Sequence, residues 1–473
     1  MNTTLTLGSL FDGSGGFPLA ALNVGIKPVW ASEVEPFPIL VTRTRLPEVQ
    51  HLGDVSLIDG AEITPVDIVT FGSPCQDLSI AGRQEGLGGE RSGLFFEAVR
   101  IIRQMREATH GRYPRYAIWE NVPGAFSSNH GHDFAAVLTS LLNIKQGKEG
   151  QAGAVDVPVP PAGWADAGTI LGGGCSVAWR VLDAQYFGLA QRRRRIYLIC
   201  DFASQRAPEI LFEPPSCRRD PQPGGQEEQN HAPTLTGSTP RSGEGVTAIA
   251  VEHHPQDSRI KVKADGVVQT LTARMGNSPT NVPILLETTD VSRRVFGLNS
   301  IHASRPTGGS YGYEAVVSKT LDLRGGEPCC NQGGMVVLEP VYAASKADFF
   351  TRATENQAGA LLASDYTAPP VVAGVKYRPR RLTPTECARL QGFPDTWCDN
   401  LAITDPSEEE LAFWEGVWGR WNTLRGVKPR TRNQISKWLA SPGGDRAEYK
   451  LWGNGIALPV AEYVLRRLSK ANK

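Results

Sequence analysis

The chain opens with LTLGSLFDGSGGF at residues 5–17, an apolar stretch that runs into a glycine-rich turn. The pattern predicts a strand over Leu5–Phe11 and, after the turn, a helix over Pro18–Asn23. Glycines at such a turn let the backbone approach a ligand, and an acid about twenty residues later, here Glu33, can bind ribose hydroxyls. The stretch fits a nicotinamide enzyme, an S-adenosylmethionine enzyme and a purely structural turn.

Beyond this turn, short apolar runs alternate with helical stretches, which is typical of βαβ units and predicts an α/β fold with a mostly parallel sheet. From residue 143 to 174 the chain is rich in Gly, Pro and Ala without periodicity, and we expect an inserted loop there. The other predicted strands are Val29–Ser32, Ile68–Phe71, Tyr116–Trp119, Val177–Leu182 and Arg195–Cys200, and a helix is predicted over Gly93–Ala108.

A smaller, β-rich domain is predicted after Pro214, where short β-type runs are separated by Gly and Pro. Four of these runs share a degenerate pattern centred on Leu235, Leu271, Leu321 and Leu361, and the irregular spacing excludes a regular solenoid. We place a large domain at residues 1–214 and the β-rich domain at 215–376. Residues 377–473 are expected to start in the small domain and return to complete the large one, with helices at Pro384–Gln391 and Leu458–Leu468.

Composition excludes several classes of protein. With 473 residues, 40% hydrophobic and 21% charged, the chain is too long for a mini-protein and too apolar for a disordered one. Equal numbers of basic and acidic residues, 49 of each, argue against a protein that coats nucleic acid indiscriminately. The eight cysteines form no CxxC pair, so we expect neither a structural metal nor a disulfide framework. The start has no signal-peptide pattern and no stretch reads as a membrane span, so we expect a cytoplasmic protein.

A cysteine follows one of the predicted strands, in the stretch Gly72-Ser73-Pro74-Cys75-Gln76. A thiolate is a nucleophile, and its pKa must be lowered by nearby positive charge or the site must deprotonate it on demand. A buried, inert thiol is the alternative. The glycine-rich residues that follow, up to Arg91, cannot be a packed helix interior, and we expect them to form a mobile lid around a reactive cysteine.

Two further groups lie at strand ends. Glu120 and Asn121 end another predicted strand, and in doubly wound sheets that edge binds ligands. Four arginines, 192–195, enter the last predicted strand, where alternation would send Arg193 and Arg195 to one face and the other two to the opposite face. A solvated charge run is the alternative interpretation of the arginines.

Taken in order, the motifs resemble the DNA (cytosine-5) methyltransferase family. The matching stretches are FDGSGGF (11–17), Glu33, GDV (53–55), GSPCQ (72–76), ENV (120–122), QRRRR (191–195), RLTP (381–384) with Glu386, LQGFP (390–394) and GNGIA (453–457). The resemblance covers residues 5–202 and 378–468, and the β-rich middle corresponds to the family's variable target-recognition region. The chain departs from the pattern at Gly455, where Ala or Ser is usual, and in long insertions at 143–174 and 397–447.

The resemblance implies a Rossmann-like S-adenosylmethionine-dependent methyltransferase and assigns a role to each matching residue. It implies that Cys75 attacks carbon 6 of cytosine, that Glu120 holds or protonates N3, that Arg195 holds O2, and that Arg193 contacts the adjoining site or a phosphate. Asn121 would order the loop that carries the cysteine. The implied cofactor residues are Phe11, Asp12, Gly13, Gly15 and Gly16 for the methionine part, Glu33 for the ribose, Asp54 and Val55 for the adenine amino group, and Pro74, Leu94, Asn454 and Ile456 around them.

The implied substrate is double-stranded DNA, from which the target base must be flipped out. Gln76 and Ser79 would fill the gap and grip a phosphate. Residues 215–375 would read bases in the major groove. Arg274, Arg324 and Asn277 are candidate readers, although solvated loop residues fit them at least as well. We expect a monomer, and a cognate restriction endonuclease is a further candidate partner.

Three other functions account for part of the sequence pattern. An RNA cytosine-5 methyltransferase would use the same chemistry, and the large β-rich middle argues for DNA instead. A catalytically silent DNA-binding homologue is disfavoured by the intact Cys75, Glu120, Arg193 and Arg195. A nicotinamide dehydrogenase would leave the PCQ and ENV motifs unexplained.

Overall fold

The computed structural model describes residues 4–73, 93–146, 154–172, 174–213 and 382–472 of the chain, together with short strands and three further residues between 249 and 381. The chain divides into two compact units. The large unit comprises Met1–Asn230 and Ala388–Lys473, and the small unit comprises His231–Cys387. The functions expected for the two parts stay predictions.

An eight-stranded sheet forms the centre of the large unit, in the order β3-β2-β1-β4-β5-β8-β7-β6. Strands β1 to β5 pair parallel with one another, whereas the β5–β8, β8–β7 and β7–β6 pairs are antiparallel. The predicted α/β fold with a mostly parallel sheet is therefore confirmed. The strands are β1 (Thr6–Leu10), β2 (Lys27–Ser32), β3 (Gln50–His51), β4 (Ile68–Phe71), β5 (Tyr116–Asn121), β6 (Ala167–Gly172), β7 (Cys175–Asp183) and β8 (Arg194–Asp201).

Four helices alternate with the strands in this first part of the chain: α1 (Gly16–Asn23), α2 (Pro36–Arg45), α3 (Leu94–Ala108) and α4 (His132–Gln146). Strands β4 and β5 are buried at every position, as expected for parallel strands covered on both faces. Trp119 of β5 and Phe134 of α4 lie within one cluster of buried residues, and Phe95 of α3 belongs to it as well. This core makes the strand ends a rigid base for side chains.

The expectation of an unstructured insertion at 143–174 is wrong in two places. Helix α4 extends to Gln146, and β6 is an edge strand paired with β7. Glycine at position 168 lets the Trp179 ring of β7 lie directly on the β6 backbone, since a Cβ there would come within 2.1 Å of that ring. The strand therefore depends on pairing and packing with β7, which local sequence does not encode.

The end of the chain adds α6 (Pro384–Gln391), α7 (Glu408–Leu424), α8 (Arg432–Ala440), α9 (Asp445–Asn454) and α10 (Leu458–Ala471), after a short α5 (Ala207–Leu211) behind β8. Insertion 397–447 contains α7 and α8, each capped at its N-terminus by a side chain, Ser407 and Thr431 respectively. The helices predicted at Pro384 and Leu458 are present, the second ending three residues later than predicted. None of the helices among the described residues has the length and apolarity needed to cross a bilayer.

The described backbone of the small unit includes three antiparallel sheets of four, three and three strands. Of the four leucines in the degenerate pattern, Leu271 is described and buried, and the other three lie outside the described residues. The strands are Ile249–His253, Ile260–Lys263, Ile284–Thr288, Phe296–Leu298, Gly312–Glu314, Val337–Leu338, Tyr342–Ala344, Ala353–Glu355, Val371–Ala373 and Tyr377–Arg381.

Candidate active site

The turn after β1 brings the first predicted site residues to the carboxyl edge of the sheet. Phe11 adopts a left-handed backbone (φ 57°), which is uncommon for a bulky residue and is typical of functional sites, and Gly13 and Gly15 also have positive φ. The Gly13 N–H donates to the Glu33 carboxylate at 2.9 Å, which joins the end of β1 to the end of β2. The glycine turn and the predicted ribose-binding acid are therefore neighbours at one edge of the sheet.

Two acids at this edge are ionised less readily than usual. Asp12 is buried and accepts a hydrogen bond from the Ser9 hydroxyl at 2.8 Å, while its Oδ2 has no partner in the described structure. Burial, and then the nearby Glu33, raise the pKa of Asp12 to about 7 despite the Ser9 hydrogen bond. Burial likewise raises the pKa of Glu33, against backbone N–H donors at Gly13, Val34 and Glu35. A cationic ligand bound here would favour the ionised form of both acids.

Asp54 lies one strand further along the same edge, directly after β3. Its Oδ1 accepts the Ser56 N–H at 2.9 Å, and its Oδ2 accepts the Arg420 Nε–H at 2.6 Å. Burial alone would raise the pKa of Asp54, but the Ser56 and Arg420 contacts outweigh it and hold that pKa below its usual range. Val55, beside it, is buried. Sequence reasoning missed Arg420, because 366 residues separate it from Asp54.

The GNGIA motif lies against the glycine turn. Ile456 packs on Gly16 so closely that a Cβ at Gly16 would fall 2.4 Å from Ile456 Cγ1. A Cβ at Gly455 would likewise fall 2.8 Å from the Ser14 hydroxyl, so Ser14 occupies the room that a larger residue at 455 would need. Asn454 is exposed. The last part of the chain therefore packs directly against the turn that follows β1.

Glu120 and the arginines meet on the neighbouring antiparallel strands β5 and β8. Arg195 Nε lies 3.2 Å from Glu120 Oε1, with side chains 14% and 11% exposed. Arg193 is buried and its Nη2 donates to the Gly455 carbonyl, whereas Arg192 and Arg194 are exposed, as the predicted alternation requires. Burial, and then Arg195, lower the pKa of Arg193. The guanidinium of Arg193 thereby joins the arginine strand to the GNGIA motif.

The strand that leads to Cys75 is held at its end by the ENV motif. Asn121 Nδ2 donates to the Ser73 carbonyl at 3.0 Å, and Trp119 Nε1 donates to the Ser73 hydroxyl at 3.3 Å. A Cβ at Gly72 would be 3.4 Å from Glu120 Oε2. The described end of this strand thus lies beside the Glu120 carboxylate.

The structure describes only some of the remaining predicted site residues. Among them is Leu94, the half-buried first residue of α3. Pro74, Cys75, Gln76, Ser79, Arg274, Asn277 and Arg324 lie outside the described residues. Within the described ranges, no three His, Cys, Asp or Glu side chains are grouped so as to hold a metal ion.

A glycine turn with three acids at the carboxyl edge of a mostly parallel sheet defines a Rossmann-like α/β protein, and the Glu120–Arg195 pair beside it gives a polar site on the adjoining strands. The chain belongs to the C-5 cytosine-specific DNA methylase family, whose model matches residues 5–145 and 171–404. The family predicted from the motifs is confirmed.

Three curated relatives illustrate the similarity. The chain is 29% identical over 489 residues to the DNA N-6-adenine-methyltransferase of Escherichia phage P1, a match that covers 99% of this chain and 61% of that protein. It is 29% identical over 195 residues to the type II methyltransferase M.BsuFI of Bacillus subtilis, covering 41% of this chain and 39% of that protein. It is 25% identical over 439 residues to the orphan methyltransferase M.SPRI of Bacillus phage SPR, covering 82% and 88%. The chain therefore spans less than two thirds of the first two relatives.

Proposed function

We propose that the protein transfers a methyl group from S-adenosyl-L-methionine to carbon 5 of a cytosine in duplex DNA. The observation that carries the proposal is the Glu120–Arg195 pair, 3.2 Å apart, beside the strand end that leads to Cys75. A carboxyl group and a guanidinium side by side match the N3 and O2 edge of cytosine in hydrogen-bonding capacity. Family membership supports the same reaction.

The residues at the carboxyl edge fit the proposed cofactor, which supplies an electrophilic methyl group on a sulfonium. The buried Asp12 Oδ2 has no partner in the described structure, as expected of an acceptor reserved for a cationic group. Backbone approach is open at Gly13, where a Cβ would meet nothing within 4 Å. Phe11, Gly15, Gly16 and Ile456 would enclose the methionine part, Glu33 would hold the ribose, and Asp54 with Val55 would hold the adenine, near Pro74, Leu94 and Asn454.

Carbon 5 of cytosine is a weak nucleophile, and a covalent step would make it reactive. In the proposed reaction the Cys75 thiolate forms a bond to carbon 6, and the displaced electron pair moves towards N3, where Glu120 supplies or shares a proton. Arg195 would hold O2 and stabilise the charge that develops there. Carbon 5 would then accept the methyl group, the cofactor leaving as the neutral thioether S-adenosylhomocysteine. A base would remove the carbon 5 proton, and the electrons of that C–H bond would re-form the ring double bond as the bond to Cys75 breaks and restores the thiolate.

Chain geometry allows Cys75 to take this part. Two peptide units separate Ser73 from Cys75, so their Cα atoms are at most about 8 Å apart. Ser73 is itself held by Asn121, the neighbour of Glu120. We propose that Arg193 also supplies a buried positive charge that favours the Cys75 thiolate, in addition to its predicted contact with the adjoining site.

The target base would have to leave the duplex, which costs a few kcal/mol. We propose that Gln76 and Ser79 assist this flipping and that the small unit reads the sequence, with Arg274 and Arg324 as candidate readers. Duplex DNA as the partner follows from the proposed reaction. A monomeric state, a cognate restriction endonuclease and a cytoplasmic location stay predictions.

A second candidate is methylation of adenine N6, which the name of the phage P1 relative raises. That relative extends well beyond the aligned region, because the match covers 61% of its length. An exocyclic amine carries its own lone pair and needs no thiolate to become nucleophilic, so the adenine reaction would leave the GSPCQ motif without a role. Cytosine is therefore the better-supported base.

Nucleoside analysis separates these candidates. The protein is incubated with isotopically methyl-labelled S-adenosylmethionine and a mixed-sequence DNA duplex, and the digested DNA is resolved into nucleosides. We expect label in 5-methylcytosine; label in N6-methyladenine alone would overturn the proposal. Transfer RNA serves as a parallel substrate, and label in RNA but not in DNA would favour the RNA enzyme.

A mechanism-based substrate tests the covalent step. DNA that contains 5-fluorocytosine, together with S-adenosylmethionine, is expected to give a denaturant-resistant adduct, because fluorine at carbon 5 cannot leave as a proton does. Cys75→Ser is the matched control and is expected to give none. An active wild-type protein that forms no adduct would rule out the covalent route, and a protein without label or adduct on any nucleic acid would indicate a silent binder.

A further inference from the structure

An arginine from insertion 397–447 reaches the predicted adenine end of the cofactor pocket. Arg420, on α7, donates through Nε to Asp54 Oδ2 at 2.6 Å and through Nη2 to the Ser56 hydroxyl at 3.0 Å. The Asp54 side chain is 5% exposed and that of Arg420 is 34% exposed. A carboxylate so deeply buried needs a partner to remain ionised, and Arg420 is the cationic partner in the described structure.

Helix α7 is held so that Arg420 faces this edge. Phe413 lies seven residues, about two turns, before Arg420 and therefore shares its side of the helix. The Phe413 ring contacts the His51 ring edge-on, with centroids 6.2 Å apart, and the Arg43 guanidinium lies 3.7 Å from the Phe413 ring centroid. His51 ends β3, three residues before Asp54. The same face of α7 thus packs against the end of β3 and carries Arg420.

We infer that Arg420 is a positioning residue for the cofactor, acting through Asp54 to set recognition of the adenine amino group. The inference rests on the proposed function, which assigns Asp54 to the adenine. It gives insertion 397–447 a role: a helix outside the shared motifs would set how firmly the cofactor is held and how strictly its base is read.

The Asp54 carboxylate can bind Arg420 and Ser56 and still accept a hydrogen bond from the adenine amino group. Each carboxylate oxygen accepts up to two hydrogen bonds, and the contacts from Ser56 and Arg420 use one on each oxygen. The carboxylate therefore keeps acceptor capacity for an amino group, while its two fixed contacts restrict rotation. A fixed, ionised acceptor favours an amino group at carbon 6 of the purine and disfavours a carbonyl there, whose oxygen would face like partial charge.

Binding of S-adenosylhomocysteine and of S-inosylhomocysteine, measured by calorimetry on the full chain, tests the inference. Arg420→Ala is expected to weaken S-adenosylhomocysteine binding about tenfold, the effect of one charge-assisted hydrogen bond, and to reduce the preference for adenosyl over inosyl. Arg420→Lys should recover part of both. Arg432→Ala is the matched control, because Arg432 lies in the same helical insertion and its ion pairs in the described structure are with Glu408 and Glu415.

Two further readouts separate positioning from a structural effect. In the Asp54→Ala background, Arg420→Ala should add little, whereas general loosening of α7 would add its full effect. Binding by wild type should also persist to lower pH than binding by Arg420→Ala, because the guanidinium keeps the pKa of Asp54 low.

The outcomes are distinct. Equal binding by wild type and Arg420→Ala, tighter binding by the variant, or an equal loss for both nucleosides would overturn the inference while leaving the methyltransferase proposal intact. A wild-type protein that binds neither S-adenosylhomocysteine nor S-adenosylmethionine would instead overturn the proposed function on which the inference rests.

Discussion

Arg195 Nε lies 3.2 Å from Glu120 Oε1, across the antiparallel strands β5 and β8. Glu120 Oε1 nevertheless has no hydrogen bond of good geometry among the described residues, so the contact is an ion pair that leaves this oxygen able to bond a ligand. Tyr197, opposite Glu120 on β8, is fully buried, and burial, followed by the Glu120 charge, raises its pKa. The Tyr197 phenol therefore stays neutral, and the charges beside it are those of Glu120, Arg195 and Arg193.

Removing either member of the pair should stop methylation while the cofactor pocket survives. We expect Glu120→Gln and Arg195→Ala to lower kcat by about 10²–10⁴-fold, because each removes a group that would meet charge developing on the base. The measurement is single-turnover methyl transfer, alongside the affinity for S-adenosylhomocysteine, which should change less than threefold.

Arg194→Ala is the matched control for the pair. Arg194 belongs to the same run of arginines but is exposed and pairs with Asp166 on the surface. Surface pairs of this kind contribute little, so activity and stability should stay close to wild type. If Arg194→Ala lost as much activity as Arg195→Ala, the arginines would be acting as a general positive patch and not through the Glu120 site.

Asn121 should matter for the chemical step although it need not touch the substrate. Its side chain donates to the Ser73 carbonyl at 3.0 Å and accepts the Val122 N–H at 2.8 Å, which fixes the strand end that leads to Cys75. We expect Asn121→Ala to lower kcat about 10–100-fold through misplacement of the thiol. The rate of adduct formation with 5-fluorocytosine DNA is the measurement; an unchanged rate would mean that Ser73 is held well enough by Trp119 alone.

The burial of the Asp12 carboxyl makes the stability of the protein depend on pH. The pKa of Asp12 is raised to about 7 by burial, above its ordinary 3.8, so the folded protein holds a proton that the unfolded chain releases. Stability should therefore fall as pH rises from about 4 to 7 and level off above 7. Asp12→Asn removes this dependence and keeps an acceptor for the Ser9 hydroxyl.

Denaturant unfolding at pH 5 and pH 8 checks this expectation. The stability of Asp12→Asn relative to wild type should grow by on the order of 3 kcal/mol over that interval, as one titrating group allows. Ser9→Ala, which removes only the hydrogen-bond donor, is the comparison. A difference between Asp12→Asn and wild type that is the same at both pH values would show that Asp12 is already ionised in the folded state.

The sequence predicts the site best where periodicity and strand order decide the outcome. Alternation along β8 places Arg193 inward and Arg194 outward, and the strand pattern places the glycine turn and Glu33 at the ends of successive strands. The sequence predicts contacts poorly where one element depends on another far away in the chain. Arg420, for example, reaches Asp54 because α7 packs on β3. The sequence does not predict strand β6 for the same reason, since pairing with β7 makes it a strand.

The side chain of Ser14 fills the space next to Gly455, and enlarging residue 455 or shortening residue 14 should show that the two positions depend on each other. Gly455 has φ −63°, which any residue adopts, so space and not backbone conformation requires glycine there. A Cβ at 455 would lie 2.8 Å from Ser14 Oγ, a buried hydroxyl without a hydrogen-bond partner in the described structure. We expect Gly455→Ala to cost about 1–3 kcal/mol through overpacking, and Ser14→Ala to cost little.

The double variant decides whether the hydroxyl is the obstacle. With Ser14→Ala in place, the nearest remaining contact of a Cβ at 455 is the Leu451 carbonyl at 3.3 Å, which a small shift relieves. Gly455→Ala should then cost at least about 1 kcal/mol less than in wild type, measured by a double-mutant cycle of denaturant unfolding. Gly416→Ala on α7, where a Cβ meets nothing within 4 Å, is the control and should be neutral or stabilising. Additive costs in the cycle would mean that the GNGIA motif excludes a side chain for a reason other than Ser14.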